Sequence, residues 1–474
     1  MEPLPALSTR HLDQLRAFYR TTPLRTKWTS AGYRRLLAHY YNLLLPPAAR
    51  VLEIGCGSGE FLSQLRAAKK TGIDLSESRI AAARALLPEA EFHVQAGEDL
   101  AVAGPFDCII ISDTLNFAAD VQRLLQKLHA VSHPGTRLLL NFHSSLWRPL
   151  FAVATALGLK APEPQASWLA TSDVHNLLDL ADWQPVQTQR RILVPFSCAG
   201  LEHLANRVIA PLPIINHLCL TVFCVARSRT AISAAPRTVS VIIPARNESG
   251  NIAAAVARTP QMGAGTELIF VEGHSRDDTW AKIQEVAAAH PHLKIKIMQQ
   301  TGRGKGDAVR LGFAAATGEI LMILDADLTM PPEELPKFYE VLATGRAEFA
   351  NGVRLVYPMD EKAMQFLNLC ANKTFGIIFT WLLGQPVKDT LCGTKVLSRA
   401  HYEAIAANRA YFGDFDPFGD FDLLFGAAKL NLKIADVPIR YRERTYGTTN
   451  INRWSHGWLL LRMVVFAARK LKFI

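Results

Sequence analysis

Two acids close the apolar run Leu321-Met322-Ile323-Leu324-Asp325-Ala326-Asp327. Alternate side chains of an extended chain share a face, so both carboxylates point the same way and repel unless a cation joins them. Such oxygens suit Mg2+ or Mn2+, which commonly take a few carboxylates together with substrate phosphates. Upstream, Gly302-Arg303-Gly304-Lys305-Gly306 is a basic, glycine-rich loop ahead of a helix, suited to holding phosphate. A second constellation stands nearer the N-terminus. In Val51-Leu52-Glu53-Ile54-Gly55-Cys56-Gly57-Ser58-Gly59, three glycines follow an apolar strand and let the backbone turn sharply and approach a ligand closely. A dinucleotide pyrophosphate calls for G-x-G-x-x-G. The spacing here is G-x-G-x-G behind Glu53, which favours a cationic cofactor without phosphate over a nicotinamide.

These groups need sheets to hold them. After a basic helical lead over Leu12–Leu45, short apolar runs alternate with helix-period segments, the pattern of parallel βαβ units. Strands are expected at Arg50–Ile54, Thr71–Asp74, Phe106–Ile111, Thr136–Phe142, Gln187–Val194 and Leu218–Ala226, with helices at Gly59–Ala68 and Glu77–Leu87. Residues 228–237 (SRTAISAAPR) lack apolar periodicity and read as a linker. A second series follows at once, with strands at Val239–Ile243, Glu267–Val271, Leu293–Met298 and Glu319–Leu324. The expected architecture is two tandem α/β domains, 1–227 and 238–474.

Composition agrees with that. The 474 residues, 49% hydrophobic and 20% charged, provide for two cores and exclude a disordered or low-complexity chain. The net charge of +10 sits at the ends, with +6 over residues 1–50 and +7 over 440–474, leaving −3 between them. Such a distribution points to an anionic surface or a phosphate-bearing ligand and not to nucleic acid. Seven cysteines, mostly in apolar runs, read as buried thiols of a reduced, intracellular chain. Met1 to Arg10 holds two prolines and no apolar h-region, so no signal peptide is expected. Val208–Ala226 is uncharged for 19 residues, but Pro211, Pro213, Asn216 and His217 interrupt it. A buried turn leading into a strand is expected there in place of a membrane span.

The glycine turn resembles the first motif of class I S-adenosylmethionine-dependent methyltransferases, a likeness spanning about residues 40–227. The resemblance implies a Rossmann-like sheet and makes Glu53, Gly55, Gly57 and Gly59 contacts to S-adenosyl-L-methionine. Asp74, fifteen residues past Gly59, stands where an acid accepts both ribose hydroxyl hydrogens. Glu98 and Asp99, in Gly97-Glu98-Asp99-Leu100, stand where the family contacts adenine, with Ala96 in place of the family's usual acid. Phe106-Asp107-Cys108-Ile109-Ile110 resembles the fourth-strand motif, and Phe117 stands where many small-molecule members carry a histidine. Methyl transfer from an activated sulfonium depends mainly on positioning. His143, just past the fifth strand, is available to activate an acceptor hydroxyl.

Val239 to Glu248 (VSVIIPARNE) resembles the opening of family 2 glycosyltransferases with the GT-A fold, over about residues 238–450. Pro244 is expected to end the ladder and leave Asn247 and Glu248 at the carboxyl edge of a nucleotide-sugar-binding sheet. Within the family, the nearest likeness is to enzymes that glycosylate a polyprenyl phosphate such as dolichyl phosphate. It implies Asp325, Asp327 and Thr329 as metal ligands. It also implies Pro244, Asn247, Glu248, Glu272, Lys305, Asp325 and Arg444 as contacts to a GDP- or UDP-linked sugar. Glu272 and Gly273 replace the two acids usual at the second strand. Lys388-Asp389-Thr390-Leu391-Cys392-Gly393-Thr394-Lys395 resembles the family's Asp-x-x-Cys/Ser-Gly-Phe-Lys/Arg motif with Thr394 in place of the aromatic. Asp420-Phe421-Asp422 resembles a later acidic segment, and Arg444 with Gly447-Thr448-Thr449 a phosphate loop.

Metal and basic groups would then stabilise a departing nucleoside diphosphate while an acceptor attacks the anomeric carbon from the opposite face, inverting it. A phosphate acceptor is already anionic and needs no base. A hydroxyl acceptor needs one, and Asp389, Asp420 and Asp422 are the catalytic candidates. The reading is a bifunctional transferase with a polyprenyl-phosphate or other lipid acceptor, the alternative being one catalytic domain with the other as a binding module. It is expected to be cytoplasmic and peripheral on the inner face of an anionic membrane. Trp454, Trp458, Leu461, Val465 and Ala468 form one apolar helical stripe, with Arg462, Arg469, Lys470 and Lys472 off it or at its end. Thr374–Val387 is a second uncharged apolar segment, long enough to lie in an interface.

Overall fold

The computed structural model describes the chain apart from residues 1–5, 22–27, 158–163, 165–166, 197–199, 230–234, 358–365, 410–419, 445 and 447–452. It divides between residues 231 and 232 into two compact units, each holding one seven-stranded sheet.

In the first unit the basic lead is two helices, α1 (Ala6–Thr21) and α2 (Trp28–Leu44). The strands are β1 (Arg50–Ile54), β2 (Lys69–Asp74), β3 (Glu91–Val94), β4 (Phe106–Ser112), β5 (Ser132–His143), β6 (Trp183–Arg191) and β7 (Thr221–Ser228). Their order is β3-β2-β1-β4-β5-β7-β6, with β1 to β5 parallel and β7 antiparallel to both its neighbours. The chain leaves β1 toward one edge and resumes at β4 on its other side, which opens a crevice at their carboxyl ends. Both faces of this sheet are covered. Val51, Cys108 and Leu139 join Tyr41 of α2 in one core, while Leu52, Ile109 and Leu138 join Leu124 and Trp183 in the other, as the period of two requires.

Three expectations need correction here. The helix after Gly59 is a single turn, Glu60–Ser63. The four-residue β3 was not foreseen, because Glu91 and Val94 are exposed on an edge strand. The stretch ahead of β7 is not buried throughout: Ala210 and Pro211 are, but Leu212, Ile214 and Leu218 are exposed.

The second unit holds β8 (Val239–Ala245), β9 (Thr266–Glu272), β10 (Lys294–Gln299), β11 (Ile320–Ile323), β12 (Phe349–Val353), β13 (Lys395–Ser398) and β14 (Ile434–Pro438). The order is β10-β9-β8-β11-β13-β12-β14, and only β13 runs antiparallel to its neighbours. Its crevice lies between β8 and β11. Pro244 does not end β8, which pairs with β9 as far as Ala245. The last bond toward β11 is Leu324 N–H to the Ile242 carbonyl, so the nitrogen of Pro244, two residues on, faces a side where β11 has already stopped.

The two segments expected at an interface are both helical. Of Thr374–Val387, which falls largely in α3 (Phe366–Leu383), Phe379, Leu382, Leu383 and Val387 are buried and Ile377 is exposed, so this segment mainly covers the core. In α4 (Arg453–Leu471), Leu460, Met463, Val464 and Ala467 face inward and Trp458, Leu461 and Val465 outward. Ala468 and Lys472, assigned to the stripe and its charged end, are buried instead; the side chain of Trp454 lies outside the described residues. Among the described residues no helix is long and apolar enough to cross a membrane.

Candidate active sites

At the first crevice Gly55, Gly57 and Gly59 all have positive φ, at 74°, 53° and 76°. A Cβ at Gly55 would also run into the Thr114 side chain, so both backbone and packing require glycine there. Asp74, ending β2, accepts from the N–H of Gly57 and of Ser76, each at 2.9 Å, and so ties the turn to the sheet. Burial raises its pKa, and these two bonds partly offset that. Glu53 lies on β1 at 2% exposure, and its buried Oε2 has no hydrogen-bond partner among the described residues. Burial and the charge of Asp74 push its pKa up to about 8, against a smaller opposing effect of Arg34. A buried carboxyl with an unsatisfied oxygen fits the chemistry of a cationic cofactor.

The expected adenine contacts are placed differently. Glu98 is buried, and its Oε1 accepts from the N–H groups of Ala119 and Asp120 at 2.7 and 3.3 Å, bracing the loop after β4. Asp99 is more open and lies 3.6 Å from Arg123. Beside them α1 packs Leu12 and Leu15 on Ala96, with Tyr19, Leu75 and Phe117 around them. Their three-and-four spacing, Leu12, Leu15, Tyr19, was the signal for this and was read only as a helical lead. His143, expected as an acceptor-activating group, stands in a polar cluster whose other members carry no motif. The Tyr33 hydroxyl lies 3.3 Å from His143 Nε2, 3.1 Å from Thr221 Oγ1 and 3.4 Å from Asp113 Oδ1, which accepts from Asn141 Nδ2 at 2.6 Å. Burial and the Asp113 charge push the Tyr33 pKa well up. Asp113 has φ of 49°, a costly conformation for a residue with a side chain.

At the second crevice Asp325 and Asp327 follow β11. Asp325 Oδ1 is 2.7 Å from Lys305 Nζ, at the first residue of α5 (Lys305–Ala315, preceding α3 in the chain). Asp327 Oδ2 is 2.6 Å from the Arg444 guanidinium, which also holds Glu248 at 2.8 Å. Glu248, Arg444 and Asp327 thus form one charged bridge. Burial raises the Glu248 pKa, with Arg444 pulling the other way. Thr329, expected as a metal ligand, donates its N–H and hydroxyl to Asp327 Oδ1 at 3.1 and 2.9 Å and orients that carboxylate. Glu272 accepts from Ser275 N–H at 2.5 Å and from Gln299 at 3.0 Å; burial would raise its pKa, but these bonds outweigh it and the pKa is lowered. Asn247, at φ 58°, donates to Ser275 Oγ and accepts from Arg276 N–H, locking the β8 and β9 ends together.

The three base candidates fare differently. Asp389 is fully buried and bidentate with Arg354, at 2.8 Å for each oxygen, and it also accepts from Leu391 N–H at 3.1 Å. Burial would raise its pKa, but the Arg354 charge prevails and lowers it. Asp422 is buried and lies 2.9 Å from Arg409. Asp420 opens a helix, Asp420–Lys429, but its side chain lies outside the described residues, as do Asp414, Asp416, Gly447, Thr448 and Thr449. Arg354 was missed because a lone arginine after Gly-Val carries no motif. Among the described residues no three His, Cys, Asp or Glu gather as a metal cage. Two carboxylates suit a hard divalent cation that completes its shell from a diphosphate.

The Methyltransferase domain family model matches residues 29–202, and the Glycosyl transferase family 2 model matches residues 240–406. A dolichol-phosphate mannosyltransferase of Pyrococcus furiosus is 32% identical over 221 residues, 45% of this chain and 59% of that one. An undecaprenyl-phosphate 4-deoxy-4-formamido-L-arabinose transferase of Pectobacterium carotovorum is 26% identical over 217 residues, 45% of this chain and 62% of that one. The chain thus spans less than two thirds of the length of either relative. Among solved structures, a SAM-dependent methyltransferase of Thermotoga maritima matches at 16% identity with a TM-score of 0.33, covering 47% of this chain and 99% of that one. The chain carries a methyltransferase domain followed by a family 2 glycosyltransferase domain.

Proposed function

We propose that the chain is a bifunctional transferase. The first unit moves a methyl group from S-adenosyl-L-methionine, and the second moves a sugar, with inversion, from a GDP- or UDP-linked donor to a polyprenyl phosphate. The observation that carries the sugar half is the state of the base candidates: Asp389 and Asp422 are both committed to arginines. A hydroxyl acceptor would be left with Asp420, whose side chain lies outside the described residues, whereas a phosphate acceptor attacks unaided. The relatives named for dolichol phosphate and undecaprenyl phosphate support the same acceptor class.

In this reading Lys305 and Arg444 bind the donor diphosphate, Asn247, Glu248 and Glu272 orient the nucleoside, and Asp325 and Asp327 hold Mg2+ or Mn2+. When bound, that cation supplies charge neutralisation on the leaving diphosphate. In the first unit Glu53 receives the cofactor's positive charge and Asp74 its ribose. The exposed Trp458, Leu461 and Val465, with Arg462 and Arg469 near them, seat the chain peripherally on the cytoplasmic face of an anionic membrane. The test is to incubate the full chain with radiolabelled GDP-mannose or UDP-glucose, Mn2+, and dolichyl or undecaprenyl phosphate. Label should pass into the organic phase with one donor and stop on chelation. Label that stays aqueous with every pairing, or transfer unaffected by chelator, overturns the reading.

A further inference from the structure

The first unit carries an apolar face of its own. Helix α6 (Arg148–Ala156, between β5 and β6) buries none of its side chains. Leu146, Leu150, Val153 and Leu157 recur at spacings of four, three and four, which sets them on one stripe, and each is more than half exposed. The segment ahead of β7 continues this surface with Leu212, Leu218 and Ile214, the last 86% exposed. The two pieces are joined, since Trp147 Nε1 donates to the Leu218 carbonyl at 2.9 Å. An apolar surface of this extent calls for an occupant.

Charge identifies it. Residues 145–157 hold Arg148 and no acid, and residues 201–218 hold Arg207, His203 and His217 against Glu202 alone. An apolar face edged by arginines and histidines with a single acid suits a bilayer with anionic headgroups, which accepts the whole face. Trp147, half-buried with its N–H bonded, sits as a tryptophan does at a headgroup boundary. The inner side of the same helix sets Phe151 edge-on to His143, with ring centroids 5.2 Å apart, above the Tyr33, Asp113 and Thr221 cluster at the crevice.

We infer that the methyltransferase unit docks on an anionic lipid surface through α6 and the segment before β7, independently of α4 in the other unit. The inference does not rest on the function proposed above. The test is co-sedimentation of the full chain with vesicles of phosphatidylcholine alone and of phosphatidylcholine with an equal part of phosphatidylglycerol. Leu150→Glu with Ile214→Glu should lower partitioning onto the anionic vesicles by roughly tenfold or more. Trp458→Glu with Leu461→Glu, in α4, serves as the comparison, and calorimetric binding of S-adenosylmethionine tests that the first unit is folded. Unchanged partitioning of the Leu150/Ile214 variant, or no binding by the unaltered chain, overturns the inference. Loss in the α4 variant alone also overturns it and leaves the proposed membrane seat of α4 standing. A solution dimer that those two substitutions dissociate would overturn it too, since the face would then belong to a second copy.

Discussion

Glu53 makes the sharpest statement at the scale of single residues. Unfolded, it ionises near the ordinary value of 4.5; folded, it keeps its proton to about 8. Between those pH values the native state binds more protons than the unfolded one, so the cofactor-free protein loses stability as pH rises through that window. Glu53→Gln should therefore raise the melting temperature at pH 8, by the equivalent of roughly 2–4 kcal/mol, and leave it unchanged near pH 4. The same variant should lose S-adenosylmethionine affinity, and binding to the unaltered protein should release protons between pH 5 and 8, read by calorimetry in buffers of different ionisation enthalpy. Gly393 makes a second case. A Cβ there would run into both Asp325 and Lys305, so Gly393→Ala should abolish sugar transfer while urea denaturation shifts by no more than about 1–3 kcal/mol. What was legible at this scale was identity. The residue types at Glu53, Asp74, Asp325 and Asp327 announce charge chemistry, but that Thr329 braces Asp327 and Glu98 braces a loop depends on where other segments bring their N–H groups.

Elements were legible where the apolar run was long and buried on both faces. β1, β8 and β9 are of this kind, and their expected bounds agree with the structure within two residues. Strands β12 (FANGV) and β14 (IADVP) mix in Asn, Gly, Asp and Pro, and β13 has four residues; pairing with neighbours, not local propensity, makes them strands. The loop before β13 owes its shape to the buried Arg354–Asp389 pair. Removing one partner strands the other charge, so Arg354→Ala should cost about 3–5 kcal/mol in urea denaturation. Arg354→Lys should recover only part of it, because an ammonium cannot make the two-pronged contact. An undiminished unfolding midpoint in Arg354→Ala would show that the pair does not hold the loop.

On the scale of the whole molecule, the chain is two sheets, each with its own switch point and its own acids at the carboxyl edge. Glycine spacing distinguishes them in the sequence: G-x-G-x-G behind an acid in one, a basic glycine loop ahead of D-x-D in the other. Separate crevices imply separate ligands. Asp74 braces only the first turn and Asp327 only the second bridge. The measurement that tests this most directly is calorimetric titration of the full chain, of Asp74→Ala and of Asp327→Asn with S-adenosylmethionine and, in Mn2+, with GDP and UDP. The unaltered chain should bind S-adenosylmethionine and one of the two diphosphates. Asp74→Ala should lose the first ligand by roughly tenfold or more and keep the second, since two backbone donors lose their acceptor, and Asp327→Asn should do the reverse. Loss of both ligands in either variant, or no binding of S-adenosylmethionine by the unaltered chain, would contradict two independent transferase sites.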